Sequence, residues 1–245
     1  MVDIARSPGT GPVTKEKIRR FDVHQIIQHA GLMVSFLLLV FTGLPLKFPN
    51  LAVSQWWVGV WGGIEVTRTT HYVAAWMMAI VCLYHILYLG YTILILKRPF
   101  PVKIVPGRQD MIEYYQEMTY YLGFRKEKPR IDRFSWKEKF DYWAIFWGMP
   151  VMFLSGFIMM YPVLVTKFLP GWIVPAALVA HSDEAMLALI WIVLVHVFFN
   201  HFTPSSFPLN TSIFTGKVLK ERYKEDHPLE YERLTGASEP GEMGE

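Results

Sequence analysis

Residues 180–202 read AHSDEAMLALIWIVLVHVFFNHF, an apolar stretch that carries three histidines, His181, His196 and His201. Residues 185–199 contain no Asp, Glu, Lys or Arg, and a helix of about 20 residues rising ~1.5 Å each crosses most of a bilayer core. An ionisable side chain at membrane depth is costly to keep there and marks a site. Residues 71–96, HYVAAWMMAIVCLYHILYLGYTILIL, repeat the habit: no charged residue, but His71 and His85.

Two further apolar runs lie outside this pair. Residues 26–48, IIQHAGLMVSFLLLVFTGLPLKF, hold His29, and residues 142–161 hold Gly148-Met149-Pro150, which predicts a kink near the start. With 245 residues, 52% hydrophobic and 16% aromatic, and a mean hydropathy of +0.25, the chain falls in the membrane class. The expected fold is all-α, a four-helix transmembrane bundle with spans at 26–48, 71–96, 142–161 and 182–202. Residues 51–66 and 162–180, with Trp56, Trp57, Trp61 and Trp172, read as interfacial segments. Residues 97–141 form a polar connection whose middle, 109–122, predicts a surface amphipathic helix. Residues 1–20 and 204–245 are expected to be tails, and the first apolar run, with no small-residue cleavage site after it, is expected to be a spanning helix and not a removed signal peptide.

Charge sets the orientation. Of the 24 Lys and Arg, 21 fall in the N-terminal tail, the long connection and the C-terminal tail, leaving Lys47, Arg68 and Lys167 on the other side. Four spans with both termini and the connection in the cytoplasm explain this distribution. A net charge of +3 gives no case for nucleic acid. The single Cys82 excludes an internal disulfide, an iron–sulfur cluster and a Cys-x-x-Cys-His attachment site.

The histidines then form a constellation. Spans two and four run in the same direction, and His71 to His85 and His181 to His196 are each separated by roughly 21–22 Å of helix. Each helix keeps both histidines on one broad face, so two stacked sites follow. A haem iron held by two imidazoles needs one from each side of the porphyrin, and His71 with His181 supplies that near the outer face. At the inner level His85, His196 and His201 arrive with His24 and His29. Either one inner haem uses His196 with His29 or His85, or two inner haems share His29, His85, His196 and His201. A zinc, copper or nickel transport site is the chemical rival, but the centres of the four runs lack the Asp or Glu that transport pathways carry. A membrane anchor without a redox role is the other rival.

Several neighbours complete the expectation. Gly31, Gly43, Gly148 and Gly156 either open room for a flat macrocycle or let helices pack closely. Arg19, Arg20, Arg68 and Lys47 stand near predicted membrane edges, where haem propionates need cations. His24, Gln25 and Gln28 are candidates for a quinone-facing pocket.

These motifs resemble the cytochrome b subunits of the formate dehydrogenase gamma-subunit and nickel–iron hydrogenase superfamily, over about residues 21–234. His29 in the first run, with the Thr-Gly-Leu that follows, is similar to the family's first-helix ligand. His71 in RTTHYVAAW is similar to the second-helix ligand, and His181 and His196 to the pair on the fourth helix. The resemblance implies one haem b on His71 and His181 and another on His29 and His196, with His85 and His201 as departures that leave two or three haems open. KEKFDYWAIFWGMPVMFLSG resembles the family's third-helix entry, and FTGKVLKERYKEDHPLEYERL resembles a tail laid against the membrane. It also implies a bacterial or archaeal cytoplasmic membrane and electron transfer between a quinone pool and a catalytic, iron–sulfur or multihaem partner subunit.

Overall fold

The structure is a computed structural model that describes residues 16–203, 206–207 and 209–236. The first 15 residues of the expected N-terminal tail and residues 237–245 of the C-terminal tail lie outside the described residues. Four helical segments are long and apolar enough to cross a membrane: Val23–Lys47, Ile64–Ile95, Trp136–Met160 and Ile173–His201.

Helix α1 (Val23–Lys47) starts where Asp22 and Gln25 form a reciprocal capping box. A short α2 (Ala52–Val60) follows, whose Trp57 indole donates to the Phe41 carbonyl at 2.8 Å, pinning it to the end of α1. Gly62 and Gly63, at φ +92° and +105°, make the reversal into α3 (Ile64–Gly90) that a residue with a Cβ resists. α3 continues through a π-helical turn, Tyr91–Ile95. The connection carries α4 (Arg108–Tyr121), in agreement with the amphipathic helix expected there. α5 (Trp136–Met160) opens on a Ser135–Glu138 capping box. After the short α6 (Pro162–Val165), α7 (Ile173–Trp191) runs through a second π-helical turn, Ile192–Val197, into α8 (Phe198–His201).

Each spanning helix begins earlier than expected from hydropathy alone: at residues 23, 64, 136 and 173 instead of 26, 71, 142 and 182. Caps and turns set helix starts, and a charged residue in the first turns does not stop the helix. Glu65 and Arg68 are therefore helical residues of α3, and Lys137 and Asp141 of α5. Residues 173–180, expected as interface, are the first turns of α7.

The bundle is two antiparallel hairpins, α1 against α3 and α5 against α7, which supply its main helix–helix contacts. Their seams are built from small and polar residues. In the first, Gly31 faces Val81, Ser35 donates to the Met78 sulfur at 3.3 Å, and Gly43 faces His71; Ser35, Thr42, Thr67 and Ala74 are fully buried. In the second, Gly148 faces Glu184 and Gly156 faces His181. In lipid, where apolar contact gains nothing by leaving the solvent, close backbone approach and interhelical hydrogen bonds hold helices together. The large side chains point outward accordingly, Trp147 being 76% exposed.

At one end of the bundle the polar segments knit into a cap. β1 (Lys17–Arg19) pairs antiparallel with β2 (Lys217–Leu219), a ribbon the all-α expectation did not include. Gly216 closes it at φ +71°, its carbonyl accepting from the Arg20 and Phe21 amides, and a Cβ there would lie 2.7 Å from the Phe21 carbonyl oxygen. The chain then runs through α10 (Lys220–Asp226) and α11 (Pro228–Thr235), preceded by α9 (Ser212–Thr215). This tail docks on the connection: Arg133 pairs with Glu230 at 2.7 Å, His227 Nδ1 donates to the Asp132 carbonyl at 2.7 Å, and Arg20 reaches Glu138 at 2.5 Å. Both ends of the four-helix unit thus meet at the same side.

α4 docks on α5 through acidic residues. Glu117 pairs with Lys137 at 2.5 Å and Asp110 with Lys139 at 2.7 Å, while Glu113 between them is buried with one carboxylate oxygen unpartnered. Burial first and then the Asp110 carboxylate push Glu113 up to about 7, against the lowering effect of Lys139. A raised carboxyl pKa means the docked helix holds its proton more tightly than the undocked one. Docking of α4 is therefore expected to weaken as pH rises from about 4.5 toward about 7 and to change little above that. Amide exchange in α4, corrected for intrinsic rates, should be slower at the acid end of this window, and Glu113→Gln should flatten the dependence.

Candidate functional site

Four of the expected histidines meet in two pairs across the hairpins. His71 of α3 and His181 of α7 have ring centres 6.3 Å apart, and His29 of α1 and His196 of the π-helical turn have ring centres 6.2 Å apart. Neither pair is joined by a hydrogen bond among the described residues. Two imidazole nitrogens binding one metal from opposite sides at ~2 Å, with each ring centre about 1 Å behind its nitrogen, put the centres about 6 Å apart. The spacing fits a single ion held between the rings of each pair.

The hydrogen bonds select the tautomer. Thr42 donates its hydroxyl proton to the Leu38 carbonyl at 2.6 Å, which leaves the hydroxyl oxygen to accept from His71 Nδ1–H at 2.8 Å. Ser155 repeats the device, donating to the Val151 carbonyl at 2.5 Å and accepting from His181 Nδ1–H at 3.0 Å. His196 Nδ1–H donates to the Asp141 carboxylate at 2.7 Å, whose other oxygen accepts from the Trp191 indole at 2.6 Å. In all three rings Nε2 is left as a bare lone pair, the form that ligates a metal, and a partner on Nδ1 raises its basicity.

Glycine brings these rings in. A Cβ at Gly43 would stand 3.3 Å from His71 Cε1, and one at Gly156 would stand 3.4 Å from His181 Cε1. Thr42-Gly43 and Ser155-Gly156 are thus one device used once per hairpin: the hydroxyl fixes the ring and the next residue makes room for it. Gly31 and Gly148 do not border a histidine and serve close packing instead.

The π-helical turn explains the uneven spacing. Fifteen residues from His181 to His196 overshoot whole turns by about 60° in a regular helix, and a π turn absorbs one residue. That leaves His196 about 40° from the line of His181, the same offset that 14 residues produce between His71 and His85.

The other expected residues go elsewhere. His85 places Nδ1 at 2.8 Å from Gln28 Oε1 and Nε2 at 3.2 Å from the Tyr142 hydroxyl, so both ring nitrogens are engaged and no second imidazole faces it. His201 Nδ1 accepts from the Asn210 amide at 3.2 Å, which puts the proton on Nε2 and takes away the ligating lone pair. The expected quinone-facing trio does not converge. His24 stacks on Tyr88 and bonds Tyr84, Gln25 is spent in the capping box, and only Gln28 points inward. Three of the four suggested propionate cations are engaged by carboxylates, Arg20 by Glu138, Lys47 by Asp183 and Arg68 by Glu65, while Arg19 lies exposed in β1.

Sequence reasoning missed Thr42, Ser155 and Asp141. In the sequence Asp141 closes the polar connection, one residue before the apolar run 142–161 begins. The recurrence of a hydroxyl residue followed by glycine, once in each hairpin, is the signal that would have found the other two. The spanning helices do carry carboxylates outside the centres of the apolar runs, Asp141 in α5 and Glu184 in α7. Among the described residues, however, no cluster of three or more His, Cys, Asp or Glu is arranged to hold a metal ion. Two-imidazole sites of this kind suit a metal whose remaining ligands come with it, as a porphyrin's do.

No curated protein matches the chain. The family model described as prokaryotic cytochrome b561 matches residues 20–204, which include all four spanning helices and both facing histidine pairs. The chain therefore belongs to the prokaryotic cytochrome b561 family, membrane b-type cytochromes of electron transfer, a membership that implies bound haem b.

Proposed function

We propose that this chain holds two b-type haems at two depths and relays electrons across a prokaryotic cytoplasmic membrane, between a quinone pool and a partner oxidoreductase or electron-carrier subunit. The observation that carries the reading is the pair of facing imidazole couples, His71 with His181 and His29 with His196, each spaced for one metal. Haem b in these positions supplies reversible one-electron iron chemistry. The chain's own residues do the rest. Thr42, Ser155 and Asp141 hold three rings in the ligating tautomer, and Gly43 and Gly156 let two of them lie against the neighbouring helix.

The two levels are not electrically alike. Neutral hydroxyls support the His71 and His181 couple, whereas the Asp141 carboxylate supports His196. An anionic partner on Nδ1 pushes electron density through the ring and stabilises oxidised iron, so the Asp141 level takes the lower potential of the two, other influences being equal. The cap, with most of the cations and both ends of the bundle, faces the cytoplasm in this reading. Catalysis on a substrate belongs to the partner. A redox-silent anchor would leave the facing couples without a use, and a bare transported ion would need protein ligands beyond two imidazoles, which no cluster among the described residues supplies.

Pyridine haemochrome assay of the purified protein should give two haems per chain. His71→Ala or His181→Ala should remove one, His29→Ala or His196→Ala the other, and a variant with one change from each couple should hold none. A full haem content in all four single variants would defeat the pairing. Asp141→Asn should weaken retention of the inner haem roughly 10–100-fold and move its midpoint potential upward, as read by redox titration of the haem absorbance.

A further inference from the structure

The connection between the hairpins carries an apolar surface that the bundle leaves uncovered. The three carboxylates of α4, Asp110, Glu113 and Glu117, are all buried, two of them on Lys139 and Lys137 of α5. At 100° per residue, Met111, Ile112, Tyr115 and Leu122 centre roughly 165° round the helix from them. Met111, Tyr115 and Leu122 are 69%, 68% and 69% exposed, and Phe124 in the turn that follows is 84% exposed. A helix on a water-soluble domain is laid the other way, with its acids outward and its apolar stripe on the core.

α4 lies beside the entry of a span into lipid. Trp136 in the first turn of α5 donates to Glu117 at 2.6 Å, and Trp143 two turns further donates to the Ile104 carbonyl at 2.9 Å. Seven residues of helix between them cover about 10 Å, so the connection runs down the flank of α5 from its charged first turns into its apolar run. At the other end of α4, Tyr121 packs on Phe199 near the close of the fourth span, ring centres 6.1 Å apart. The uncovered face is thus continuous with the lipid-facing side of α5, where Trp143 and Phe146 are also exposed. Its rim is cationic. Arg108, Arg125, Lys126 and Lys128 are exposed and held by no carboxylate among the described residues: Arg125 donates to the Glu127 carbonyl and Lys128 lies over the Tyr120 ring. Glu127 is the single acid in that turn.

We propose that α4 and the turn after it are a lipid-binding element, lying in the interfacial layer of the bilayer on the side of the cap. Met111, Tyr115, Leu122 and Phe124 enter the upper acyl region, and Arg108, Arg125, Lys126 and Lys128 hold anionic phospholipid headgroups. Tyr114, Tyr115 and Tyr120 place amphipathic rings at the headgroup level, where they are at home. The helix is then clamped from two sides, by ion pairs to α5 on its acidic face and by lipid on its apolar one. Burying every acid of α4 against the bundle is what lets an anionic surface approach the opposite face without repulsion. This element goes beyond the haem reading and stands whether or not the chain carries electrons.

The test uses the full chain in nanodiscs holding one copy each, with Cys82→Ala as background and one cysteine introduced at a time. Modification by a polyethylene-glycol maleimide, which stays in water, is timed in discs of phosphatidylglycerol and of phosphatidylcholine. In phosphatidylglycerol, Tyr115→Cys, Leu122→Cys and Phe124→Cys should react at least about tenfold more slowly than Glu225→Cys, an exposed position of the cap. Combined Arg125→Gln, Lys126→Gln and Lys128→Gln should remove most of that protection, and phosphatidylcholine should give several-fold less of it. Three positions keep the test valid if one substitution disturbs the fold, which circular dichroism of the same samples reports. Equal rates at all four positions overturn the proposal and leave the face to water or a soluble partner. Protection that appears only in discs loaded with two copies overturns it in favour of a second chain, and equal protection in the two lipids overturns the role given to headgroup charge.

Discussion

The structure depends on imidazole rings that are held by one nitrogen and free at the other. Membrane-spanning helices satisfy their own backbone groups, and the His71, His181 and His196 rings find their partners on a neighbouring helix. Here those partners are hydroxyls already committed to a carbonyl one turn back, and a carboxylate already committed to an indole. Commitment of the partner is what fixes the direction of the bond to the ring. A free hydroxyl could donate or accept, and the tautomer would be undetermined.

The same requirement shapes the seams. A histidine that reaches a hydroxyl on the adjacent helix needs that helix close, and Gly43 and Gly156 provide the clearance. Small residues at the seam in turn send the large side chains outward, where lipid is as good a solvent as a protein core. Very few bulky residues are buried among the spans for this reason, and the bundle is organised by polar contacts that a water-soluble protein would place at its surface.

Much of this was legible from the chain. Helix number followed from hydropathy, and the gathering of the polar segments at one end of the bundle agrees with the distribution of Lys and Arg. The two heights of histidine followed from spacing, since a helix converts residue count into distance with little latitude. Helix starts were less legible: Asp22, Ser135 and the Gly62-Gly63 turn act locally, and a hydropathy window averages over them. His85 was indistinguishable from a ligand by spacing, because what separates it from His71 is the pair of side chains, Gln28 and Tyr142, that reach it from 57 residues away on either side. The β1–β2 ribbon joins segments at opposite ends of the sequence, and three residues of alternation carry too little signal to announce it.

That ribbon has a topological consequence. A chain that crosses a bilayer four times and hydrogen-bonds a segment after the last crossing to one before the first closes on itself with a seam outside the lipid. Cutting the connection between α3 and α5 while joining the chain across the ribbon itself would keep the four crossings and both histidine couples, since the hairpins already meet there. The order in which the hairpins are encoded is thus separable from the way they assemble, and either half can be regarded as the first.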